Sequence, residues 1–234
     1  MKNSTDWFKE WFASDFYQIV YKHRDNNDAG NFLELILSKI HIPKNSLILD
    51  AACGAGRHLK FLQEIGYTNV FGFDLSLTLL KSAKLNNVQN IICADIRKVF
   101  FKVNFDLILN IFTSFGYFDS DFENFLFFYN AKKFLKPNGI IVFDYFNSNY
   151  LLNNLVLESK SEIEDIVITE KRKIEKGRVE KLINITNNQT NFEFKESVKL
   201  YSYEFLIRKF NDLGYKINGI YGNYKGDIFD INKS

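Results

Sequence analysis

Short apolar runs alternate with helical patterns between Leu47 and Tyr145. Five runs have the length and composition of strands buried on both faces, at residues 47–50, 70–74, 91–94, 105–110 and 140–145. Helical periodicity falls between them, at residues 57–65, 76–85 and 122–134. This regular alternation predicts an α/β protein with a Rossmann-like, doubly wound and mostly parallel sheet.

Two further patterns flank this region. Aromatic residues recur at spacings of three to five between Asp6 and Tyr21, which predicts an N-terminal helical lid packed on the sheet. After the fifth strand, period-two alternation over 163–172, 179–185 and 192–200 predicts an inserted antiparallel β meander, with its first turn at Lys176-Gly177. A helix over 202–213 and a sixth strand over 215–221 are expected to follow.

The length of 234 residues suits one domain with a full hydrophobic core. We expect a helical cap (1–45), a cofactor-binding core (46–150), the meander (160–200) and a final helix and strand (201–234). Whether the last residues add a seventh strand stays open. Without it, a sheet edge would remain that a second subunit could cover, as in a homodimer.

Charged residues nearly cancel, with 30 basic against 28 acidic side chains. Because no stretch concentrates lysine and arginine into a stripe, nucleic acid is not expected as a partner. The chain shows neither an apolar run of membrane-spanning length nor the apolar segment of a signal peptide, so no membrane partner is expected. With only two cysteines, these features predict a cytoplasmic protein without disulfides.

A glycine turn follows the first strand, where Leu47-Ile48-Leu49-Asp50 runs into Ala51-Ala52-Cys53-Gly54-Ala55-Gly56. Glycine adopts backbone conformations closed to other residues and lets a ligand approach the main chain. The helix after the turn would direct its first N–H groups at such a ligand. Taken alone, the pattern fits a cofactor-binding turn and an ordinary strand-to-helix turn about equally well.

Polar residues stand at or just after the ends of the first four strands: Asp50, Asp74, Asp95 and Asn110. Parallel α/β sheets bind ligands beyond the carboxyl ends of their strands, so these side chains are candidates for ligand contacts. Asp74 is placed to accept hydrogen bonds from both hydroxyls of a ribose. A nicotinamide dehydrogenase would share that carboxylate, but it requires a third glycine where this chain has Leu59.

Five motifs in order resemble those of the class I S-adenosylmethionine-dependent methyltransferases, over residues 47 to about 145. They are the glycine motif (50–56), the ribose motif (72–76), the adenine motif (94–97), the fourth strand (105–110) and the turn before the fifth (136–139). Residues 53–58 and 112–118 are further similar to a bacterial branch that acts on small molecules.

The resemblance implies that S-adenosylmethionine is the cofactor. Backbone N–H groups around Gly54 and Gly56 would bind the carboxylate of its methionine end, and carbonyls near Asn110 would bind its ammonium group. The other cofactor contacts implied near that end are Asp50, Ala52, Tyr21 and Arg24.

The adenosine part of the cofactor would lie over the second and third strands. Asp74 would hold the ribose, and Asp95 would accept a hydrogen bond from the adenine amino group. Leu75 and Ile96 would enclose the adenine ring between their side chains.

Methyl transfer from a sulfonium requires an acceptor held in line with the methyl group, so positioning can supply most of the rate and no base is required. In the resembling family, the segment after the fourth strand lies beside that methyl group. The candidate catalytic residue is Tyr117, and the candidate substrate contacts are Phe112, Phe115 and Tyr17. In a chain with 25 phenylalanines, the alternative is that such rings are only core.

A small, partly apolar acceptor is expected, since the lid and the meander are aromatic rather than basic. Two alternatives stay open: a methyltransferase for RNA or protein, and a module that binds the cofactor without turnover. No metal is expected, because His23, His41 and His58 have no partners at ligand spacing. His58 could face the pocket, but a capping or surface role is favoured. Glu196 is expected at the surface or the meander edge, with an inward position toward a substrate as the alternative.

Overall fold

Five strands form a parallel sheet in the order β3-β2-β1-β4-β5. The computed structural model describes residues 6–22, 26–112 and 114–233. The strands are β1 (Ile48–Ala51), β2 (Val70–Asp74), β3 (Ile91–Cys93), β4 (Phe105–Asn110) and β5 (Leu135–Phe143). All five predicted strands are thus confirmed. The strand order reverses between β1 and β4, where sheets of this kind open a crevice for ligands.

Helices cover both faces of this sheet. On one face, α3 (Asn26–Lys39), α4 (Arg57–Glu64) and α5 (Leu77–Leu85) pack against the strands. On the other face lie α6 (Asp121–Ala131) and α8 (Tyr203–Asp212). In β1, the fully buried Ile48 belongs to the first layer and its neighbour Leu49 to the second. Burial on both faces explains why these strands read as continuous apolar runs.

Four strands form a separate antiparallel sheet in sequence order: β6 (Glu158–Ile163), β7 (Ile166–Glu175), β8 (Arg178–Asn187) and β9 (Thr190–Lys199). The meander is confirmed, and so is its turn at Lys176-Gly177, where both residues have positive φ. The sequence indicated three strands rather than four. β6 escaped detection because it is a mainly exposed and polar edge strand without apolar alternation.

The N-terminal cap consists of two short helices, α1 (Trp7–Ala13) and α2 (Asp15–Val20). They are separated at Ser14, whose side chain accepts a hydrogen bond from the Phe16 N–H and so starts α2. The cap is held on the sheet domain by Ser76, the N-cap of α5, whose hydroxyl donates 2.6 Å to the Phe12 carbonyl. We call residues 6–22 the cap from here on.

The fifth strand begins earlier than predicted. Phe105 pairs with Leu135, and Leu107 pairs with Ile140. The two pairs are thus two positions apart along β4 and five positions apart along β5. The predicted turn at residues 136–139 is therefore a bulge inside β5, with Asn138 at a φ of 62°. A short helix that the sequence did not indicate, α7 (Ser148–Asn154), follows this strand.

The predicted sixth strand over 215–221 is not formed in the described chain. Tyr215 turns inward instead, and its hydroxyl donates 2.6 Å to the carbonyl of Phe128 in α6. Further on, a single antiparallel bridge joins Tyr221 to Ile228. In the same register, the Gly222 N–H donates 2.9 Å to the Asp227 carbonyl, so the two segments meet at the base of a tight loop.

Candidate cofactor site

A cavity of about 220 Å³ lies at the carboxyl ends of β1, β2, β3 and β4, beneath the cap. Its floor comes from the residues that follow these strands, and its roof comes from α1, α2 and their C-terminal extension. The sequence placed a ligand site at these strand ends, and the cavity lies where that reasoning put it. Phe8 and Phe12 of the roof are wall residues that the sequence analysis treated only as part of an aromatic face.

The glycine turn is held in left-handed conformations at Ala52, Gly54 and Gly56, with φ values of 61°, 54° and 73°. Ala52 and Gly54 lie at the cavity wall. Gly56 does not. A Cβ there would approach Val88 to 3.1 Å and Ala83 to 3.2 Å, so this glycine is required by helix packing as well as by its backbone conformation.

Asp74 ends β2 at the centre of the cavity floor and is 8% exposed. One carboxylate oxygen accepts 2.8 Å from the Gly54 N–H, and the other accepts 2.7 Å from the Ser76 N–H. Each oxygen keeps acceptor capacity for a ligand, since a carboxylate offers about four lone-pair directions. Burial raises the pKa of Asp74, although these backbone hydrogen bonds partly oppose that effect.

Asp95, after β3, also lines the cavity, but it is engaged by the side chain two residues later. The guanidinium of Arg97 contacts both Asp95 oxygens, at 2.7 Å from Nη2, and extends to Glu123 at 2.9 Å. Burial alone would raise the pKa of Asp95, but the hydrogen bonds and charge of Arg97 outweigh it and lower that pKa. Arg97 in turn lies over the Phe118 ring, with 4.3 Å between guanidinium carbon and ring centre.

Leu75 and Ile96 follow Asp74 and Asp95 directly, and both side chains lie at the cavity wall. They come from adjacent strands, β2 and β3, so they supply apolar surface at the same end of the cavity. The structure thus brings together the two residues that the sequence proposed as the enclosure of a flat ring.

Asp50 and Asn110 lie behind the cavity wall. Each is 1% exposed, at the ends of the neighbouring strands β1 and β4. The Asn110 amide donates 3.2 Å to the Ala51 carbonyl and 3.2 Å to the Ser114 hydroxyl, which ties the two strand ends together. The Asp50 carboxylate lies 3.5 Å from Nδ1 of His58.

His58 is buried and lines the cavity, so the expectation of a capping or surface role was wrong. Its ring stacks on Phe112, with 5.1 Å between ring centres and 18° between planes. Burial places the imidazole between the glycine turn and the end of β4. The sequence signal was its position on the first turn of the helix that follows the glycines, directly before the buried Leu59.

Tyr17 and Tyr21 reach the cavity from the cap, as expected. The Tyr21 hydroxyl donates 2.7 Å to Glu196 Oε1 on β9, which is therefore an inward-facing residue rather than an edge or surface one. Lys181 of β8 approaches the other Glu196 oxygen at 2.7 Å. The predicted contact Arg24 lies outside the described residues.

Of the three residues proposed after β4, two line the cavity and one does not. Phe112 lies at the wall with a φ of 59°, and Tyr117 lies at the wall with its ring 4.9 Å from that of Trp7. Phe115, proposed as a substrate contact, is 3% exposed in the core on the opposite side, with its ring centre 4.9 Å from that of Phe125. Phe112 and Gly116 both have positive φ, at 59° and 88°.

Residues 48–139 match the family model described as "Methyltransferase domain". This segment is thus similar to methyltransferase domains. Its sequence relatives include an uncharacterized protein of Methanocaldococcus jannaschii, 35% identical over 114 residues, which are 47% of this chain and 48% of the relative.

A second relative is named dTDP-3-amino-3,4,6-trideoxy-alpha-D-glucopyranose N,N-dimethyltransferase, from Streptomyces venezuelae. It is 28% identical over 134 residues, which are 55% of either chain. The matched segments thus span about half the length of these curated relatives.

Solved structures show the same fold over nearly the whole chain. An S-adenosylmethionine-dependent methyltransferase from Clostridium acetobutylicum has a TM-score of 0.78 and 20% identity, with 94% of this chain and 93% of that one covered. DesVI of Streptomyces venezuelae has a TM-score of 0.72 and 18% identity, with 91% and 94% covered. The fold is therefore shared with S-adenosylmethionine-dependent methyltransferases, and one such structure, the amino pentose methyltransferase CalS10 (TM-score 0.69, 18% identity), contains bound S-adenosylmethionine.

The cavity residues fit this cofactor. In spatial order, β3, β2, β1 and β4 span three strand spacings, or about 14 Å. Apolar walls at Leu75 and Ile96 stand at one end, the Asp74 carboxylate follows, and the buried Nε2 of His58, which lacks a partner, stands toward the other. Adenine, ribose and an amino-acid group follow each other in the same order along the cofactor.

Two findings concern the surroundings of the site. Among the described residues, no three His, Cys, Asp or Glu side chains come together as a metal site would require. None of the helices in the described ranges combines the length and the apolar character needed to cross a bilayer.

Proposed function

We propose that this protein is an S-adenosylmethionine-dependent methyltransferase that moves a methyl group to an O, N or C atom of a small molecule. The observation that carries the proposal is the Asp74 carboxylate, buried at the centre of the cavity floor and held by the N–H groups of Gly54 and Ser76. This bonding fixes the carboxylate before a ligand arrives, so that little orientational freedom is lost on binding.

Each wall of the cavity has a distinct task in this proposal. Asp74 accepts hydrogen bonds from the ribose, Leu75 and Ile96 enclose the adenine, and the glycine turn faces the methionine end. Asp95 has a second task beside its contact with the adenine amino group, because its ion pair with Arg97 holds the loop after β3 against α6.

The bound cofactor supplies an electrophilic methyl group on a positively charged sulfur. The chain contributes position and exclusion of water. Phe8 and Phe12 of the roof and Tyr117 after β4 give the cavity an aromatic wall. Aromatic faces attract cations, so the ring of Tyr117 suits the neighbourhood of a sulfonium and makes it the catalytic candidate.

The acceptor class follows from the roof and from the relatives. Four of the seven roof residues that line the cavity are aromatic and stand beside Lys9, Gln18 and Lys22, and such walls suit a small, partly apolar acceptor. Two relatives, from Streptomyces venezuelae and Streptomyces fradiae, are named as N,N-dimethyltransferases of dTDP-linked amino sugars. An amino sugar is therefore the first acceptor to test.

The test uses S-adenosylmethionine with a labelled methyl group and an extract of the source cells, separated into small molecules and polymers. Label in a small product that forms only with active protein supports the proposal. Label in RNA or protein favours a macromolecular methyltransferase, and tight cofactor binding without any transfer favours a binding module. Absence of cofactor binding by calorimetry would overturn the proposal outright.

A further inference from the structure

The guanidinium of Arg178 binds the loop that follows β4. Arg178 is the first residue of β8, and its Nη2 donates 3.0 Å to the Tyr117 carbonyl and 3.2 Å to the Gly116 carbonyl. Its Nη1 donates 3.2 Å to the Phe118 carbonyl. One side chain of the antiparallel sheet thus holds three successive carbonyls of this loop.

The other edge of the guanidinium is fixed on the neighbouring strand β9. Nε donates 2.8 Å to the hydroxyl of Ser197, and Nη2 donates 2.8 Å to the carbonyl of the same residue. Ser197 is buried, and Arg178 is half-buried. The planar fork of an arginine presents donors in both directions at once, whereas a lysine offers a single ammonium group. The arginine therefore joins β9 rigidly to the loop.

Two of the bound carbonyls belong to the peptide planes on either side of Tyr117. The Gly116 carbonyl lies in the plane before the Tyr117 Cα, and the Tyr117 carbonyl lies in the plane after it. Because both planes are held, the direction of the Tyr117 Cα–Cβ bond is fixed as well. The Lys199 N–H also binds the Gly116 carbonyl, at 2.7 Å, so Arg178 acts chiefly on the second plane.

Tyr117 and Phe118 line the cavity, whereas Arg178 does not. The Tyr117 ring lies among the aromatic rings of the cap, with its centre 4.9 Å from that of Trp7 and 5.8 Å from that of Phe12. Apolar contacts are not directional, so they allow a ring to slide against its neighbours. The backbone of the loop then sets how far the Tyr117 ring extends into the cavity.

We propose that Arg178 is a positioning residue for methyl transfer, because it sets the place of the Tyr117 ring through the carbonyls of the loop. This inference rests on the proposed function, in which that ring lies near the sulfonium. A misplacement of about 1 Å, caused far from the reacting atoms, can lower a rate by about a hundredfold. The antiparallel sheet thereby contributes to the reaction as well as to the attachment of the cap.

The experiment measures methyl transfer in Arg178→Met and Arg178→Lys. Labelled S-adenosylmethionine is the donor, and the acceptor is the small-molecule fraction of the cell extract in a dilution series, which gives the maximal rate and the half-saturating amount separately. We expect Arg178→Met to lower the maximal rate about tenfold and to change the half-saturating amount and S-adenosylhomocysteine affinity by less than about twofold. Arg178→Lys keeps the charge without the fork, so its rate should fall between the two.

A double-mutant cycle with Tyr117→Leu distinguishes positioning from a general loss of stability. If Arg178 acts through the Tyr117 ring, Arg178→Met lowers the maximal rate less than about threefold once that ring is absent. Arg208→Met, which removes the same charge from an exposed position on α8, should leave the rate unaltered. Urea unfolding shows which variants are folded in the assay, and Arg178→Lys takes the place of Arg178→Met in the cycle if the latter is not. An equal loss in both backgrounds, or a full rate in the folded variant, overturns the inference.

Fluorine NMR of the protein labelled with 3-fluorotyrosine gives a readout that needs no acceptor. Tyr117→Phe assigns the Tyr117 signal, and we expect this signal to shift in Arg178→Lys. The signal of Tyr215, whose hydroxyl is bound to α6, is the reference and should stay in place. An unchanged Tyr117 signal overturns the inference. If the unaltered protein transfers no label to a small product, the proposed function fails, and the fluorine signal then shows separately whether Arg178 sets the place of the ring.

Discussion

The indole of Trp11 donates a hydrogen bond of 2.7 Å to the carboxylate of Glu196, across 185 positions of sequence. The same oxygen accepts 2.7 Å from the Tyr21 hydroxyl, and Lys181 pairs with the other oxygen. Glu196 therefore joins both helices of the cap to the antiparallel sheet. Because Tyr21 is also a wall residue of the cavity, this junction decides whether the roof of the site is in place.

Glu196→Ala is expected to destabilise the protein by about 1 to 3 kcal/mol, because it removes the acceptor shared by Trp11 and Tyr21 and one of the two carboxylates that pair with Lys181. Urea unfolding at neutral pH measures the loss. Glu193→Ala is the matched control, since Glu193 lies exposed on the same strand, and it is expected to change stability by less than about 0.5 kcal/mol. Equal effects of the two variants would contradict the role of Glu196.

Asp74→Asn is expected to weaken S-adenosylhomocysteine binding by about ten- to a hundredfold, because the amide cannot accept hydrogen bonds from a ribose as a carboxylate does. The amide keeps one acceptor for the turn, so the fold should persist, which circular dichroism can check. Calorimetry gives the affinity. Asp212→Asn, an exposed change on α8, serves as the control and should leave it unaltered.

The ion pair of Asp95 and Arg97 makes stability depend on pH. Because the pKa of Asp95 is lower in the folded protein, the folded state binds fewer protons there and the pair stabilises it above the unfolded pKa of about 3.9. That contribution is lost as the pH falls through the folded pKa. The stability difference between the unaltered protein and Arg97→Met should thus be full at pH 7 and shrink below about pH 4.

Urea unfolding at a series of pH values checks this dependence. The variants Asp95→Asn and Asp95→Asn/Arg97→Met complete a double-mutant cycle. The cycle separates the energy of the Asp95–Arg97 pair from that of the contact between Arg97 and Glu123. A stability difference that stays constant down to pH 3 would show that the pair does not titrate as described.

Gly56→Ala and Gly177→Ala separate backbone strain from packing. Both glycines have similar φ values, 73° and 70°, so both changes carry a left-handed penalty of about 1 kcal/mol. A Cβ at Gly56 additionally meets Val88 and Ala83, whereas one at Gly177 meets nothing within 4 Å. Thermal unfolding should therefore show a loss for Gly56→Ala about 1 to 3 kcal/mol larger. Equal melting temperatures would mean that α4 and α5 shift apart freely.

Tyr117→Phe is expected to keep kcat within about threefold, because the ring face and its contacts remain. Tyr117→Leu should lower kcat about tenfold or more while it changes cofactor affinity little. Single-turnover kinetics with a saturating acceptor measures the rate of methyl transfer in each variant. A large loss in Tyr117→Phe would instead assign the hydroxyl a direct part in proton transfer.

The parallel sheet was predictable because its strands are buried on both faces, and continuous apolar runs such as Leu107–Leu109 of β4 carry that information locally. The Asp74 site was predictable for a similar reason, since strand ends and a glycine turn are visible in the sequence. β6 was not, because an exposed edge strand has no such pattern.

Other features depend on distant partners. Glu196 and His58 read as surface residues, and only tertiary contacts with Trp11 and Asp50 explain their burial. Phe112 and Phe115 lie three positions apart, yet Phe112 lies at the cavity wall and Phe115 in the core on the other side. Periodicity arguments fail wherever the backbone departs from a regular repeat.

The attachment of the cap to Glu196 restricts how acceptor specificity can be exchanged between related enzymes. A chimera that receives a foreign β9 without the matching α1 would place a new side chain opposite the Trp11 indole and leave that donor buried without an acceptor. Residues 6–22 and 158–199 therefore form one transplantable module. Their sequences are expected to diverge in concert as acceptors change, while the strand ends beneath them stay constant.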